Sequence, residues 1–422
     1  MYDILNVYLE NGMQVVMHKI PYVKTMACGL WVNQGSKYED DTTNGLSHLV
    51  EHLKLNKENI NNPKFKMLLE DITSDGVTYN AATTKEYTYF YFAGLSNTLE
   101  KCIKALSYIA DNNNFDKDFF ENEKKIVDQE ISSFYSSFSQ IKERIGQALW
   151  GDSGIGRIIV GSEKNIDRAS LEDINELVYG SYVPENSVLV VVGNIDYDRT
   201  IEIAQKYFEG WIDKETELKK DVVNNEPGIF VNNKWNGENC VISVGFRTAG
   251  FADKMRNNLE VISKILGDNS LESRLVKEIR IKRGLAYTVG GFMSSYRNRG
   301  DIGFAVICKQ KLVAEVIKIM MNQFALIRSE TVFDEEIHRA KNKYQTEMLL
   351  DLEDISSQLK YLGKCCSYKH VFSIENEIRS INHVKKDSLL DTAKQIFQPN
   401  NMSIAIIGKV DVDKIVPLLN FN

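Results

Sequence analysis

The stretch Tyr182-Val-Pro184-Glu-Asn186-Ser-Val-Leu-Val-Val-Val-Gly193-Asn-Ile-Asp196 returns in altered form near the end of the chain as Phe397-Gln-Pro399-Asn-Asn401-Met-Ser-Ile-Ala-Ile-Ile-Gly408-Lys-Val-Asp411. Tyr182 and Phe397, Pro184 and Pro399, Gly193 and Gly408, and Asp196 and Asp411 are each separated by 215 positions. A short apolar run rich in β-branched residues, closed by glycine, reads as a buried strand. Its recurrence predicts two copies of one fold. A weaker echo at an offset of 213 sets Gly45-Leu-Ser-His-Leu-Val-Glu-His-Leu53 against Asn258-Leu-Glu-Val-Ile-Ser-Lys-Ile-Leu266. There the helical pattern persists but the polar residues do not.

The copies divide the chain into residues 1–212 and 229–422, joined by a linker at 213–228 that is rich in Lys, Glu, Asp and Asn. Within the first copy, Tyr8 to Val15 reads as an Asn11-Gly12 hairpin, Thr25 to Asn33 as a strand, and the stretch after Gly45 as a helix. Gly76 to Ala93 gives two more β segments, and helices follow from about Leu95 to Trp150. Strands followed by helices predict an α+β fold: two homologous domains, each a largely antiparallel sheet with helices packed on one face.

Composition narrows the function. The 422 residues are 43% hydrophobic and 26% charged, with six prolines, which is a globular composition with enough apolar material for two to four cores. A net charge of −7 argues against nucleic acid and anionic lipid as partners. No apolar run approaches the roughly 18 residues of a membrane span, and the first residues lack the pattern of an export signal, so a soluble cytosolic protein is expected. The six cysteines, Cys28, Cys102, Cys240, Cys308, Cys365 and Cys366, form no C-x-x-C pair and read as buried free thiols.

The chemistry centres on His48-Leu49-Val50-Glu51-His52. Residues four apart share a helix face, so both imidazoles reach one ion, and Glu51 points to the same side. Zinc suits two histidines and a distant carboxylate, with a fourth position left for a water whose pKa falls to about 7 and whose proton Glu51 can take. His18, His338, His370 and His383 lack such a partner. The third ligand must come from elsewhere. In Glu121-Asn-Glu123-Lys-Lys-Ile-Val-Asp-Gln-Glu130, Glu123 and Glu130 are seven apart and share a helix face. One can bind the metal while the other orients a ligand, and the residues alone do not rank them.

H-x-x-E-H is the inverzincin signature. The segments Leu9-Glu-Asn-Gly-Met-Gln-Val-Val16, Gly35-Ser36, Gly45 to His52, Gly76-Val-Thr-Tyr-Asn-Ala81, Glu86-Tyr-Thr-Tyr89 and Glu123 to Glu130 together resemble, in order, the pitrilysin, insulinase and mitochondrial processing peptidase family. The resemblance implies His48, His52 and Glu130 as zinc ligands, one Zn2+ per chain, Glu51 as general base and Glu123 as a second conserved carboxylate. The family's other signature is similar to Ser273-Arg-Leu-Val-Lys-Glu-Ile-Arg280-Ile-Lys-Arg-Gly284-Leu-Ala-Tyr287. It implies that Arg280 holds a substrate carbonyl or carboxylate and Tyr287 stabilises the oxyanion. Asn80 and Ala81 are the candidates for an edge strand onto which a peptide adds.

Further expectations follow from the resemblance. It implies a zinc endopeptidase built as half of a bilobed clamshell, acting on peptides or unfolded segments as a homodimer or as a heterodimer with a related subunit. The rival expectation is a non-catalytic or obligate partner subunit. Leu53-Lys54-Leu55-Asn56-Lys57-Glu58 departs from the apolar run and Lys-Gly-Thr that the family carries after the second histidine. The glycine-rich loop of the non-catalytic processing subunit is also missing, with Gly267-Asp-Asn-Ser270 in its place.

Overall fold

The computed structural model describes residues 4–59, 61–212, 226–268, 270–329, 332–371 and 373–420. Most of the expected linker, residues 213–225, lies outside the described residues, as does position 269 of Gly267–Ser270.

Six strands form the first sheet: β1 (Ile4–Tyr8), β2 (Gln14–Lys19), β3 (Thr25–Val32), β4 (Thr78–Thr83), β5 (Thr88–Leu95) and β6 (Ser187–Gly193), in the order β1-β2-β6-β3-β5-β4. Only the β2–β6 pair is parallel. The second sheet comprises β7 (Ile229–Asn232), β8 (Asn239–Ala249), β9 (Ala286–Ser295), β10 (Arg299–Lys309) and β11 (Met402–Ile407), in the order β7-β11-β8-β10-β9. Only its β7–β11 pair is parallel. Leaving β1 aside, the two sheets have one topology. The repeated stretch supplies β6 and β11, each inserted between two neighbours and buried at every residue. This is why both read as nearly continuous apolar runs.

The β1–β2 hairpin forms, but its loop is longer than a two-residue Asn-Gly turn. Tyr8 pairs with Gln14, and the Leu9 N–H donates to the Met13 carbonyl at 2.9 Å. Asn11 leaves the turn to donate to the carbonyls of Phe208 and Trp211, which fasten the loop to the end of a later helix.

The compact units do not follow the chain halves throughout. One unit comprises residues 1–133, 157–222 and 350–372, and the other 134–156, 223–349 and 373–422. The helix Ile355–Ser367 therefore covers the first sheet, on β3 and β6, and the helix Ile141–Trp150 covers the second, on β8 and β11. Helix Leu99–Asp111 also packs on β3, where Cys28 meets Cys102, so the first sheet carries helices on both faces. On the side of the Ile355 helix, Trp31 stacks on Tyr89 opposite it (centroids 5.1 Å apart), and Tyr89 stacks on Tyr91. Gly363 lies flat on this aromatic row, where a Cβ would come within 2.2 Å of the Trp31 ring. All six cysteines are free thiols and only Cys366 is not fully buried. Among the described residues no helix is long and apolar enough to cross a membrane.

Two glycine substitutions test this packing. Gly363→Ala gains roughly 1 kcal/mol of helix propensity but forces a rigid indole to move, an overpacking cost of about 1 to 3 kcal/mol. The melting temperature is expected to fall. Gly146→Ala, in the Ile141–Trp150 helix with nothing within 4 Å of the added methyl, is expected to raise it. Thermal unfolding of both variants checks the contrast.

Candidate metal centre

The helix Leu46–Lys54 carries the H-x-x-E-H residues, and its start is fixed by two features. Gly45 turns into it with φ of +106°, in a space where a Cβ would press on the backbone of Val160 and Gly161. The buried carboxylate of Glu39 then accepts the Gly45 N–H at 2.9 Å, the Ser47 N–H at 2.6 Å and the Asn44 amide at 2.9 Å. The two backbone donors are N–H groups that a helix's own ladder leaves unpaired. Burial raises the Glu39 pKa and outweighs the opposing pull of the donors.

The second element is the helix Lys117–Tyr135, which begins where Asp116 Oδ1 accepts the Phe119 N–H at 2.9 Å. It sets Glu123 and Glu130 against the histidines in different ways. Glu130 Oε2 lies 3.4 Å from His48 Nε2 and 3.4 Å from His52 Nε2. Glu123 Oε2 lies 3.5 Å from the other nitrogen of His52, Nδ1. Glu123 is buried and Glu130 is 47% exposed, so only Glu130 faces solvent. Asn56, just past the helix, fixes Glu123. Its Oδ1 accepts the Glu58 N–H at 2.9 Å, which turns its amide group to donate to Glu123 Oε1 at 2.8 Å.

One ligand atom from each of His48, His52 and Glu130 lies within 4.8 Å of the others, and among the described residues this is the single such cluster of His, Cys, Asp and Glu. The donor set fits a zinc ion. Contacts of 3.4 Å are long for hydrogen bonds, and they match the roughly 3.4 Å edge of a tetrahedron with metal bonds of about 2.0 to 2.2 Å. His48 Nδ1 is buried, and nothing among the described residues offers that nitrogen a hydrogen bond. Burial, and then the neighbouring His52, pull the His48 pKa down to about 3, leaving the imidazole neutral with a lone pair to donate. Burial also pulls His52 down, but the carboxylates of Glu123, Glu130 and Glu51 together outweigh it and hold the pKa above the ordinary value.

Glu51 is not part of the ligand cluster. Its carboxylate accepts the Thr83 hydroxyl at 2.6 Å, and burial raises its pKa against the opposing pull of Thr83 and His52. Thr83 ends β4, the outermost strand of the sheet, which also carries Asn80 and Ala81. Asn80 is exposed, and its Oδ1 accepts the Ala81 N–H at 2.8 Å. Arg280 and Tyr287 belong to the second unit and meet there. The guanidinium lies 4.1 Å from the ring centroid, and the ring is 78% exposed.

Three residues of this neighbourhood escaped the sequence reading: Glu39, Asn56 and Thr83. Thr83 stands two positions beyond Ala81 in a strand whose β-branched residues are explained by propensity alone, so nothing marks its hydroxyl. Glu39 and Asn56 are polar loop residues with no motif. Lys54, noted as a departure after His52, is also resolved. It is buried with its ammonium over the Tyr182 ring, donating to Asn113 Oδ1 at 3.0 Å and to the Ala110 carbonyl, and burial pulls its pKa down to about 7.

Comparison with known proteins agrees with these features. A family model described as "Insulinase (Peptidase family M16)" matches residues 14–163, and one described as "Peptidase M16 inactive domain" matches residues 168–344. An uncharacterized zinc protease of Bacillus subtilis is 25% identical over 406 residues, covering 94% of this chain and 97% of its own. One from Mycobacterium leprae is 26% identical over 419 residues, covering 97% and 92%. Among solved structures, a Helicobacter pylori protease superposes with a TM-score of 0.87 at 19% identity, covering 96% of this chain and all of its own. A peptidase inactive domain from Pseudomonas fluorescens gives 0.86 at 16% identity, covering 97% and 99%. At such identities these two speak for the fold alone. With two models of one family matching in succession along most of the chain, and full-length relatives of the same short two-domain build, this chain belongs to the insulinase family of peptidases.

Proposed function

We propose that the protein is a zinc-dependent endopeptidase that cleaves peptides or unfolded segments, with one zinc per chain. The observation that carries this reading is the convergence of His48 Nε2, His52 Nε2 and Glu130 on one point, with the carboxylate of Glu51 beside them and outside the ligand set. Zinc held by His48, His52 and Glu130 supplies Lewis acidity, which acidifies water and polarises a carbonyl. Glu51 takes the proton from the attacking water and later gives it to the leaving nitrogen. Glu123 accepts from His52 Nδ1 and so directs Nε2 of that ring to the ligand position. The intact set of ligands and base favours this reading over a silent partner subunit.

A peptide adds as a further strand along β4, placing its backbone beside Asn80 and Ala81. The Asn80 side chain that occupies the Ala81 N–H gives way to a substrate carbonyl. Arg280 and Tyr287, in the half that lacks a metal motif, act on the substrate as carbonyl clamp and oxyanion donor. Two chains, either two copies or this chain with a related subunit, enclose the chamber.

Metal analysis of the purified protein is expected to give about one zinc per chain, and zinc is lost from the His48→Ala, His52→Ala double variant. Glu130→Gln weakens zinc retention more than Glu123→Gln, which costs about 10- to 100-fold in affinity or activity through ring orientation. The reverse order exchanges the two roles. Glu51→Gln keeps zinc and still accepts the Thr83 hydroxyl, but cannot accept a proton. Its kcat on a quenched peptide is expected to fall by about 100-fold or more, and near wild-type turnover would remove Glu51 from the mechanism. Tyr287→Phe is expected to lower kcat by about 10- to 1000-fold with zinc unchanged. Steady-state kinetics paired with metal analysis reads out both variants.

A further inference from the structure

Thr83 is the last residue of β4, and three oxygens lie around its hydroxyl. Glu51 Oε2 is 2.6 Å away, the Ser47 carbonyl 3.4 Å and Thr88 Oγ1 3.4 Å. A hydroxyl has one proton to give, and an ionised carboxylate only accepts. The shortest contact therefore takes the proton, at a length typical of a charge-assisted O–H···O bond. Thr88, facing Thr83 across the hairpin, is spent differently: it donates to the Gln34 carbonyl at 2.9 Å. That is a structural bond from threonine to backbone. Thr83 makes its short bond to an ionisable side chain, although the Ser47 carbonyl is within reach.

The last torsion of a glutamate side chain is broad and roughly two-fold. An unheld carboxylate beside the His52 imidazole is free to turn about that torsion. The Thr83 bond occupies Oε2 and stops that rotation, leaving Oε1 as the oxygen that takes a proton. We infer that Thr83 is a positioning residue for Glu51, and that it ties the orientation of the base to the end of the edge strand. This rests on the reading of Glu51 as general base. Register along β4 then sets two things together: where a peptide added to that edge lies, and which way the carboxylate faces.

The test compares Thr83→Val, which keeps the β-branched shape and loses the donor, with Thr83→Ser, which keeps the donor. With zinc bound, Thr83→Val is expected to lower kcat by about 10- to 100-fold while KM stays within about twofold and zinc content is unchanged. Thr83→Ser is expected to recover kcat to within about threefold of the natural protein. In a Glu51→Gln background, Thr83→Val should produce no further loss. A second readout uses zinc-free protein. Thr83→Val should lower the melting temperature, and should lower it less when Glu51 is already alanine, because the bond is then absent in both forms.

Wild-type kcat in Thr83→Val would overturn the inference, and so would equal losses in the Val and Ser variants. An undiminished effect of Thr83→Val in the Glu51→Gln or Glu51→Ala background would do the same. If the zinc-loaded natural protein cleaves no peptide, it is the endopeptidase reading that fails, and the zinc-free cycle alone decides whether Thr83 holds Glu51.

Discussion

The helix that carries His48, Glu51 and His52 is held by its first turn, through a carboxylate that has almost no water around it. Glu39 accepts the N–H groups of Gly45 and Ser47 and the amide of Asn44 from a buried position. Each bond of this charged kind contributes about 1.5 to 3 kcal/mol, and the negative charge sits at the end of the helix where the backbone dipoles favour it. Three donors from consecutive parts of the chain leave the helix little freedom to slide or rotate. The directions of His48, Glu51 and His52 are then set together, because they are rigidly spaced on what Glu39 has fixed. A glycine with positive φ at position 45 is part of the same constraint, since a side chain there would push the first turn away from its anchor.

Around this helix the protein keeps polar groups in places that would otherwise be core, and each has a partner suited to it. Lys54 answers burial with a ring face and two oxygens, and Asn56 uses one end of its amide on a backbone N–H and the other on Glu123. His52 faces a carboxylate on each nitrogen, while His48 lacks any such bond at Nδ1. The two rings lie nearly perpendicular, 4.8 Å apart, so protonating either opposes protonating the other. The arrangement favours at most one charged imidazole, so a ring lone pair stays available.

The two halves show how little of the fold depends on that chemistry. Both sheets repeat the same strand order, and a helix follows the second strand of the repeat in each. Where the first copy has His48 and His52, the second has Val261 and Ile265, both buried in its apolar core. The same helical positions thus carry imidazoles in one copy and apolar packing in the other. An apolar pair at these positions stabilises its own domain, while the histidine pair depends on carboxylates brought in by a different helix.

Local chemistry made much of this readable before any coordinates. A 215-residue offset between two apolar runs identified the repeat, because a strand buried on both faces is apolar at nearly every residue. His48, Glu51 and His52 shared a face by the helical period alone. What required tertiary structure was anything set by the meeting of distant segments. Glu123 and Glu130 share one helix face, so periodicity cannot separate them. Their surroundings diverge because one turn of the Lys117–Tyr135 helix lies against His52 Nδ1 and the other against the Nε2 atoms. The amphipathic pattern of the helices at 141–150 and 355–367 shows an apolar side without saying which sheet it covers, and each covers the sheet built from the other half of the chain. Thr83 reads as an ordinary strand residue until a helix more than thirty positions earlier in the chain brings a carboxylate within 2.6 Å of its hydroxyl. Sequence determines which groups are available and how they are spaced along an element. The packing of one element on another decides which of them meet, because a contact between distant segments leaves no period in the chain.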